Sequence, residues 1–277
     1  MAKPVSDRYT TSLLRTVQEP SLALEALKKS WPAVEREFAE KRRCLHRKIP
    51  KDDPIRCPVD LLASLNVIED ETLHTRAIAY LLDPSQRHGL GKSVLRAVVQ
   101  KTKARRGGAE APKIVRLLEG NSTRISVTPE YRYRIEGYRG RSVARPDIWI
   151  ELHTRKNAGL IVVENKINAP EASGQLGWYE RKAREWCKKH AGHASHLLIF
   201  LTRHETDAKS SDYGQWVALS YLQLAAALRT VWLSERKAAG HSWLGLYIGT
   251  ITRGLLGFDL EESFDVSEIE TYFGEVR

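Results

Sequence analysis

The sequence has 277 residues, and its 44 lysines and arginines outnumber its 34 aspartates and glutamates, which gives a formal net charge of +10. This positive excess favours a polyanionic partner, nucleic acid ahead of a membrane surface. The chain has no apolar run near the length of a membrane span, no apolar signal core at its start, and three scattered cysteines that cannot form a complete disulfide framework, so the sequence argues against membrane-spanning and disulfide-rich classes and predicts a cytoplasmic protein.

Length and charge distribution predict three parts of the chain. Residues 1–60 are expected to form a helical region with a linker, residues 61–257 the main domain, and residues 258–277 an acidic segment. In the first part, apolar and charged residues alternate at helical spacing, and Pro32 is expected to break or restart the helix. Three prolines between Ile49 and Pro58 indicate the linker.

A second helix is predicted to begin near Glu69 and to stop before the Asp83-Pro84 pair. Glu71 falls in its first turn, three positions before His74, so the two side chains lie near each other on the helix surface. Taken by itself, this pattern indicates acids that complement the positive end of the helix dipole.

The segment 89–93, Gly-Leu-Gly-Lys-Ser, resembles the end of a phosphate-binding loop. The full pattern requires a glycine where Gln86 stands, and it requires a strand before the loop, where the sequence predicts a helix. We therefore expect no nucleotide binding at this segment. A further helix is predicted from Ser93 to Lys103.

Strand patterns begin at Arg124, and a hairpin leads from there into the centre of the domain. Arginines and tyrosines interleave in this hairpin: Arg132, Arg134, Arg139, Arg141, Arg145, Tyr131, Tyr133 and Tyr138. Such residues suit a nucleic-acid surface, because guanidinium groups neutralise phosphate and rings stack on bases. An exposed, charged strand face is an equally good interpretation of the same pattern.

Two apolar runs, residues 146–152 and 160–166, flank a polar turn and predict neighbouring strands. Alternate side chains of a strand share a face, so Glu164 and Lys166 point the same way, roughly 6 to 7 Å apart along the chain. Antiparallel pairing would bring Asp147 beside Glu164. The two carboxylates suit a hard cation such as Mg²⁺, and the lysine beside them can orient a water molecule.

The segment after Lys166 predicts a helix, with Asn168 as its cap and Glu171 completing a capping box. Gln175 and Tyr179 lie four positions apart and therefore on one face of this helix. A basic face continues toward its carboxyl end and could line a groove for a phosphate backbone.

Cys187, His190, His193 and His196 recur every third residue and raise the question of a zinc site. A regular three-residue period drifts around a helix axis, and Gly192 is expected to end the helix inside the cluster. A helix end with exposed histidines is therefore the favoured interpretation over structural zinc.

The rest of the chain predicts two more strands and two more helices. The strands are His196–Thr202 and Trp216–Leu219, and the helices run from Tyr221 to Leu233 and from Trp243 to Leu256. The last helix is expected to pack on the sheet or on a second subunit, which would make the protein a homodimer. Together these elements predict an α/β fold with a mixed sheet flanked by helices.

The spacing of the central strands also carries a family resemblance. Pro146-Asp147, followed after 17 positions by Glu164-Asn165-Lys166, resembles the signature of the PD-(D/E)XK nuclease superfamily. The signature is short and weakly specific by itself, so its surroundings in the chain decide its weight.

Two flanking segments resemble the same superfamily. The upstream run from Glu71 through residues 81–84 to residues 88–89 is similar to a segment of one of its branches. Downstream, Gln175 and Tyr179 match the Gln-x-x-x-Tyr pair of RecB-type and related members. The resemblance covers roughly residues 69–233 and leaves out the N-terminal helical region.

The resemblance implies a restriction-endonuclease-like core and a metal-dependent endonuclease that hydrolyses phosphodiester bonds in DNA. Asp147 and Glu164 would hold Mg²⁺ or Mn²⁺, with the backbone carbonyl of Asn165 and the carboxylate of Glu71 as further ligands. Lys166 would position the attacking water.

The resemblance also assigns roles to the downstream pair: Gln175 and Tyr179 would bind the scissile phosphate or brace Lys166. A catalytically silent nucleic-acid-binding protein on the same fold is the alternative function. The intact acids and lysine of the motif favour the enzyme.

Overall fold

The three-dimensional structure is a computed structural model of the whole chain. It describes residues 20–57, 61–103, 105–134, 143–172, 174–190, 194–206, 208–209, 214–258 and 266–273. The chain divides into two compact units, with the boundary between Lys51 and Asp52. The sequence-based boundaries at residues 60 and 257 stay predictions.

The described part of the first unit is a long helix, α1 (Pro20–Lys48), with Pro32 inside it. The prediction that Pro32 breaks the helix is wrong. A proline removes one backbone N–H and one helical hydrogen bond, but the bonds on either side of Pro32 continue the helix. The indole of Trp31 is 53% exposed and donates a hydrogen bond of 2.8 Å to Glu35 one turn later.

The second unit holds the α/β core. Its described helices are α2 (Leu61–Ser64), α3 (Glu71–Leu82), α4 (Ser93–Thr102), α5 (Ala111–Glu119), α6 (Gln175–Lys189), α7 (Tyr221–Ser234), α8 (His241–Gly249) and α9 (Val266–Phe273). Its described strands are β1 (Arg124–Pro129), β2 (Tyr133–Arg134), β3 (Val143–Ala144), β4 (Ile148–His153), β5 (Ala158–Lys166), β6 (Ala194–Thr202) and β7 (Trp216–Ser220). Short 3₁₀ turns lie at Pro54–Arg56 and Gly108–Glu110, and a π-helical segment at Thr250–Leu255 follows α8.

Five strands form one mixed sheet in the order β1-β4-β5-β6-β7. Strand β4 is antiparallel to both β1 and β5, whereas β5, β6 and β7 run parallel to one another. Strands β2 and β3 form a separate antiparallel pair. The predicted α/β fold class, a mixed sheet flanked by helices, is confirmed.

Strand β5 is buried along its length, and its two faces meet different helices. Leu160 and Val162 belong to an apolar cluster that includes Leu176 of α6. On the other face, a Cβ atom on Gly159 would lie 2.8 Å from a methyl group of Leu117, so α5 packs closely here because this position has no side chain. Full burial of each large aliphatic side chain contributes about 1.5 to 3 kcal/mol. This core fixes the edge of the sheet at which β5 ends.

The predicted linker is only partly extended chain, because its second half packs into the second unit. Asp53 caps the 3₁₀ turn at Pro54–Arg56, and Pro54 and Ile55 are buried. This turn packs against α8. Pro54, one of the prolines that suggested a linker, instead presets a tight turn.

The helix predicted from Trp243 to Leu256 is α8 followed by the π-helical segment. Among the described residues, its main contacts are with α7 and with the turn at Pro54–Arg56 of the same chain. A homodimer therefore stays a prediction. No helix in the described part of the chain combines the length and apolar character needed to cross a membrane.

The start of α6 differs from its prediction, and the capping box at Asn168 is wrong. The helix begins at Gln175, after Gly174 in a left-handed conformation with φ of 71°. The carboxylate of Glu171 accepts a hydrogen bond of 2.9 Å from the amide of Lys209 instead of capping a helix. Because glycine adopts positive φ without steric cost, Gly174 places the start of the helix.

Candidate active site

The polar residues of the predicted motif meet at one edge of the sheet. Strands β5 and β6 are parallel and in register, so Lys166 at the end of β5 lies opposite Thr202 at the end of β6. Strand β4 runs the other way, and its first residue, Ile148, pairs with Val163. Asp147, immediately before β4, therefore lies beside the carboxyl end of β5. In parallel sheets, this edge is the common location of ligand sites.

Lys166 contacts two carboxylates from different elements. Its Nζ lies 3.0 Å from Oε1 of Glu164, two positions earlier on the same strand face. It also lies 3.8 Å from Oε2 of Glu71, in the first turn of α3. The side chain of Glu164 is only 1% exposed, and that of Lys166 is 18% exposed. The structure thus brings these three predicted residues into one group at the edge of the sheet.

Asp147 joins this group through the backbone of β5. Its Oδ2 accepts a hydrogen bond of 2.7 Å from the amide of Asn165. Burial raises the pKa of the Asp147 carboxyl, while the Asn165 amide and Lys166 act in the opposite direction. Burial and then the nearby Asp147 carboxylate raise the pKa of Glu164 to about 8. Two carboxyl groups that disfavour each other's charge therefore lie side by side.

Lys166 is held in its charged form. Burial by itself lowers the pKa of the ammonium, but the carboxylates of Glu164 and Asp147 outweigh it and hold the pKa of Lys166 above its usual value. A protonated lysine donates hydrogen bonds and cannot accept a proton. The lysine can therefore orient a water molecule or a phosphate oxygen, but it cannot act as a general base in this state.

The donor set fits a hard divalent cation. Oε2 of Glu164 is buried and has no hydrogen-bond partner among the described residues. A buried carboxylate oxygen without a donor is costly, and a cation is the species that satisfies it best. In the part of the chain that the structure describes, no three His, Cys, Asp or Glu side chains already form a metal-ligand group. Lys166 instead lies between the carboxylates of Glu164 and Glu71.

Gln175 and Tyr179 of α6 also reach this group. The side-chain amide of Gln175 donates to Oε1 of Glu164 at 2.7 Å and to the hydroxyl of Tyr179 at 2.9 Å. The Tyr179 hydroxyl donates to the backbone carbonyl of Arg145, two residues before Asp147, at 3.0 Å. The pair braces Glu164 and the chain before Asp147. A direct contact of either side chain with Lys166 or with a phosphate stays a prediction.

Glu71 and His74 share a helix but have different surroundings. Oε2 of Glu71 accepts a hydrogen bond of 3.1 Å from the amide of Ile167, at the end of β5. His74 is fully buried, and its ring nitrogens lie 3.0 Å from the Tyr247 hydroxyl and 2.9 Å from the carbonyl of Ile68. His74 therefore links α3 to neighbouring elements, whereas Glu71 faces the end of β5.

The side chain of Asn165 points to the opposite face of the sheet from Glu164 and has a structural role that the sequence analysis missed. Its amide donates to the Thr75 hydroxyl at 3.2 Å and to the backbone carbonyl of Glu71, also at 3.2 Å. Its Oδ1 accepts a hydrogen bond of 2.9 Å from Tyr221, at the start of α7. These bonds fix the end of β5 to α3 and α7. In the sequence, the signal for this contact was the position of Tyr221 directly after a buried strand.

The segment 89–93 and the cluster of Cys187 with nearby histidines are the two other features that the sequence analysis singled out. In the segment 89–93, Lys92 donates to the carbonyl of Gly120 at 2.6 Å and Ser93 to Glu235 at 2.7 Å, which fits a structural turn. Cys187 lies 3.5 Å from His196, whose other ring nitrogen contacts Gln215 at 3.1 Å. His193 lies outside the described residues. In the described part of the chain, no three His, Cys, Asp or Glu side chains form a metal-ligand group, and the helix end without zinc stays a prediction.

The arginine and tyrosine hairpin is described only in part, because residues 135–142 lie outside the described residues. Tyr131 stacks on Trp149 with ring centroids 4.7 Å apart, and the Tyr133 hydroxyl donates to the carbonyl of Trp178 at 3.1 Å. Both rings pack against the protein rather than standing free to stack on bases. Arg145 is half exposed and pairs with Glu130 at 3.3 Å.

Comparison with family models is consistent with this geometry. A family model described as the PD-(D/E)XK nuclease superfamily matches residues 59–247. The match covers more than half of the 277 residues and includes the carboxylates and the lysine at the end of β5. The curated proteins and the solved structures contain no match to this chain.

Proposed function

We propose that this chain, which belongs to the PD-(D/E)XK nuclease superfamily, is a Mg²⁺- or Mn²⁺-dependent endonuclease that hydrolyses phosphodiester bonds in DNA. The observation that carries the proposal is the buried group at the end of β5. There Lys166 lies 3.0 Å from Glu164, which has a buried oxygen without a partner among the described residues, and Asp147 adjoins them. The net charge of +10 supports a polyanionic substrate.

Asp147 and Glu164 would hold the cation, with Glu71 and the backbone carbonyl of Asn165 as further ligands. When bound, a divalent cation acts as a Lewis acid that withdraws negative charge from the phosphate. Two features support this assignment: the oxygen of Glu164 without a partner among the described residues, and the adjacent carboxyl group of Asp147. A cation would offset the repulsion between the two carboxylates and take the place of the missing hydrogen bond.

Lys166 contributes a positioned ammonium. Because its pKa is held above the usual value, it carries a full charge as the reaction begins. From its place beside Glu164 it can orient the attacking water through a hydrogen bond and stabilise negative charge that develops on the phosphate oxygens. Gln175 supports this arrangement indirectly, since it holds the Glu164 carboxylate that adjoins the lysine.

The direct test is cleavage by purified protein of supercoiled plasmid, linear duplex, single-stranded DNA and RNA, each with Mg²⁺, Mn²⁺ or EDTA. We expect nicking or linearisation of the plasmid that EDTA abolishes, and no cleavage by Glu164→Gln purified in parallel. Cleavage of RNA alone would overturn the assignment to DNA. Shortening of linear DNA with intact plasmid would overturn the assignment to an endonuclease.

A catalytically silent nucleic-acid-binding protein is the second candidate, and one observation favours it. The ammonium of Lys166 already forms an ion pair with Glu164 and lies near Glu71, so both carboxyl groups have a cationic neighbour without a metal ion. Binding of DNA with no cleavage under any of the metal conditions would establish this alternative. The low cysteine count, three scattered residues in the whole sequence, supports a reducing compartment such as the cytoplasm for either function.

A further inference from the structure

A cavity of about 760 Å³ opens directly beside Lys166. One wall is the loop of residues 167–171 that follows β5, and the other is the loop that follows β6. A hydrogen bond between described residues ties the two loops together, where the amide of Lys209 donates to the Glu171 carboxylate at 2.9 Å. The cavity thus lies at the carboxyl ends of two parallel strands and continues from the candidate active site.

Among the described residues, the charged side chains that line this cavity are mostly basic. Arg203, His204 and Lys209 line it together with Lys166, and Glu171 is the acid among its described lining residues. Ile167 and Pro170 add apolar surface to the same wall. Cationic groups beside apolar surface suit a sugar-phosphate backbone, whose phosphates are anionic and whose sugars are largely apolar.

Arg203 is a basic residue of this cavity that lies next to the strand ends at which the candidate active site stands. It follows Thr202, which pairs with Lys166 across the parallel strands. One guanidinium nitrogen of Arg203 lies 3.0 Å from Glu69, whose side chain is 52% exposed. Nε of Arg203 is buried and has no hydrogen-bond partner among the described residues. A guanidinium has five N–H donors, so this one retains capacity for a further anionic acceptor.

We propose that the cleaved strand runs through this cavity and that Arg203, together with Lys209 of the same lining, binds the phosphate next to the scissile one. This inference rests on the proposed function, and it identifies where the substrate strand lies. The recognition is of the sugar-phosphate backbone and carries no base specificity. The contact with Arg203 requires a substrate strand with at least one further nucleotide beyond the cleaved bond, on the side of the site where β6 ends.

The experiment compares three single variants. Arg203→Ala removes the proposed phosphate contact. Glu69→Gln removes the ion-pair partner and leaves the arginine in place. Arg155→Ala removes an exposed arginine from the turn between β4 and β5, at the opposite end of β5 from Lys166. The two ends of this nine-residue strand lie about 26 Å apart.

Steady-state cleavage gives the first measurement, with a fluorescein-labelled oligonucleotide, single-stranded and as a duplex, and with bis(p-nitrophenyl) phosphate. The small ester has a single phosphate and no neighbouring one. We expect Arg203→Ala to raise KM for the oligonucleotide by about tenfold, with a smaller change in kcat. Its kcat/KM for the small ester should fall less. Glu69→Gln and Arg155→Ala should keep the wild-type KM for the oligonucleotide.

Binding gives the second measurement, by fluorescence anisotropy in a Lys166→Ala background so that the strand stays intact. Arg203→Ala should reduce the slope of log K against log salt by about 0.7 to 0.9, the value of one lost phosphate contact. The inference is overturned if Arg203→Ala leaves KM and the salt slope unchanged. It is also overturned if Glu69→Gln reproduces the loss, because the arginine would then act only through its ion pair.

The two measurements separate this inference from the proposed function. If the wild-type protein binds the oligonucleotide without cleaving it, the proposed nuclease function is overturned. The salt dependence of binding would still decide whether the strand lies against Arg203. Normal cleavage with a wild-type KM in Arg203→Ala would overturn the proposed path of the strand through the cavity. The proposal that the protein is a nuclease would still stand.

Discussion

Two buried carboxylate groups of the second unit differ in how well their oxygens are satisfied. Asp53 is fully buried beside Arg229, which donates to its Oδ2 at 2.7 Å. Its other oxygen accepts from the amide of Ile55 at 3.1 Å and from the Tyr272 hydroxyl at 3.2 Å. Glu164 is equally buried, but its Oε2 has no partner among the described residues, and another carboxylate adjoins it.

The comparison shows how a structural acid and a candidate catalytic acid can be told apart. A buried charge contributes to stability only when it is paired and its oxygens are bonded, as both oxygens of Asp53 are. The group at Glu164 leaves part of its bonding capacity unused, which is expected where a cation or substrate supplies the missing contacts. Changes at Asp53 should therefore reduce stability, and changes at Glu164 should reduce activity.

The largest expected effect is the loss of turnover in Lys166→Ala. A positioned donor at the reacting centre contributes about 10²- to 10³-fold to kcat, so plasmid cleavage should fall by at least that factor. DNA affinity should change little, because one of many basic residues is removed. Lys156→Ala, in an exposed turn, is the matched control. Equal losses of affinity and rate would reduce Lys166 to a phosphate contact.

Next in size is the loss of stability in Asp53→Asn. Removing the charge leaves Arg229, whose side chain is only 11% exposed, without its partner, and breaking such a buried pair costs about 3 to 5 kcal/mol. Urea unfolding measures this cost. The control is Asp52→Asn, because the Asp52 pair with Arg236 is mostly exposed and worth about 0 to 1 kcal/mol. Cleavage per folded molecule should stay at the wild-type level in both variants.

A smaller effect of opposite sign is expected for Glu164→Gln in the absence of metal. The amide removes a buried charge that adjoins Asp147 and lacks one partner, so the EDTA-treated variant should be more stable by about 1 kcal/mol. The measurement is best made near pH 9, where a carboxyl with a pKa of about 8 is mostly charged. The gain corresponds to a rise in Tm of about 2 to 4 °C. A fall in Tm as large as that of Asp53→Asn would remove the distinction between the two groups.

The smallest expected effect concerns Glu71→Gln. If Glu71 reaches the cation, the metal concentration for half-maximal cleavage should rise several-fold, because one carboxylate ligand is lost. If Glu71 serves only the helix end and the Ile167 amide, the variant should lose a few tenths to about 1 kcal/mol of stability. Metal titration of activity and thermal unfolding of the same protein distinguish these outcomes. An unchanged metal requirement would exclude Glu71 as a ligand.

Short-range patterns located most elements but misplaced several of their boundaries. Helix α3 begins at Glu71 after the cap Asp70, close to its predicted start. Helix α6 begins at Gln175 because Gly174 reverses the backbone and Glu171 bonds a distant loop. Helix α5 went unpredicted, although Pro112 stands in its first turn. Boundaries such as these depend on hydrogen bonds between residues far apart in the chain.

The sequence by itself determined the strand pair around the motif, because apolar alternation and the antiparallel register follow from local composition and strand geometry. It also indicated that Glu164 and Lys166 share a face. The distance of 3.0 Å between Nζ of Lys166 and Oε1 of Glu164 confirms this. The family resemblance named Glu71 and Gln175, but only the tertiary structure decided how they meet this pair. Glu71 arrives from α3, Gln175 from α6, and the cavity at Arg203 from the loop after β6. Such contacts depend on how helices pack across the sheet, and packing is set by the shape of the whole core rather than by neighbours in the chain.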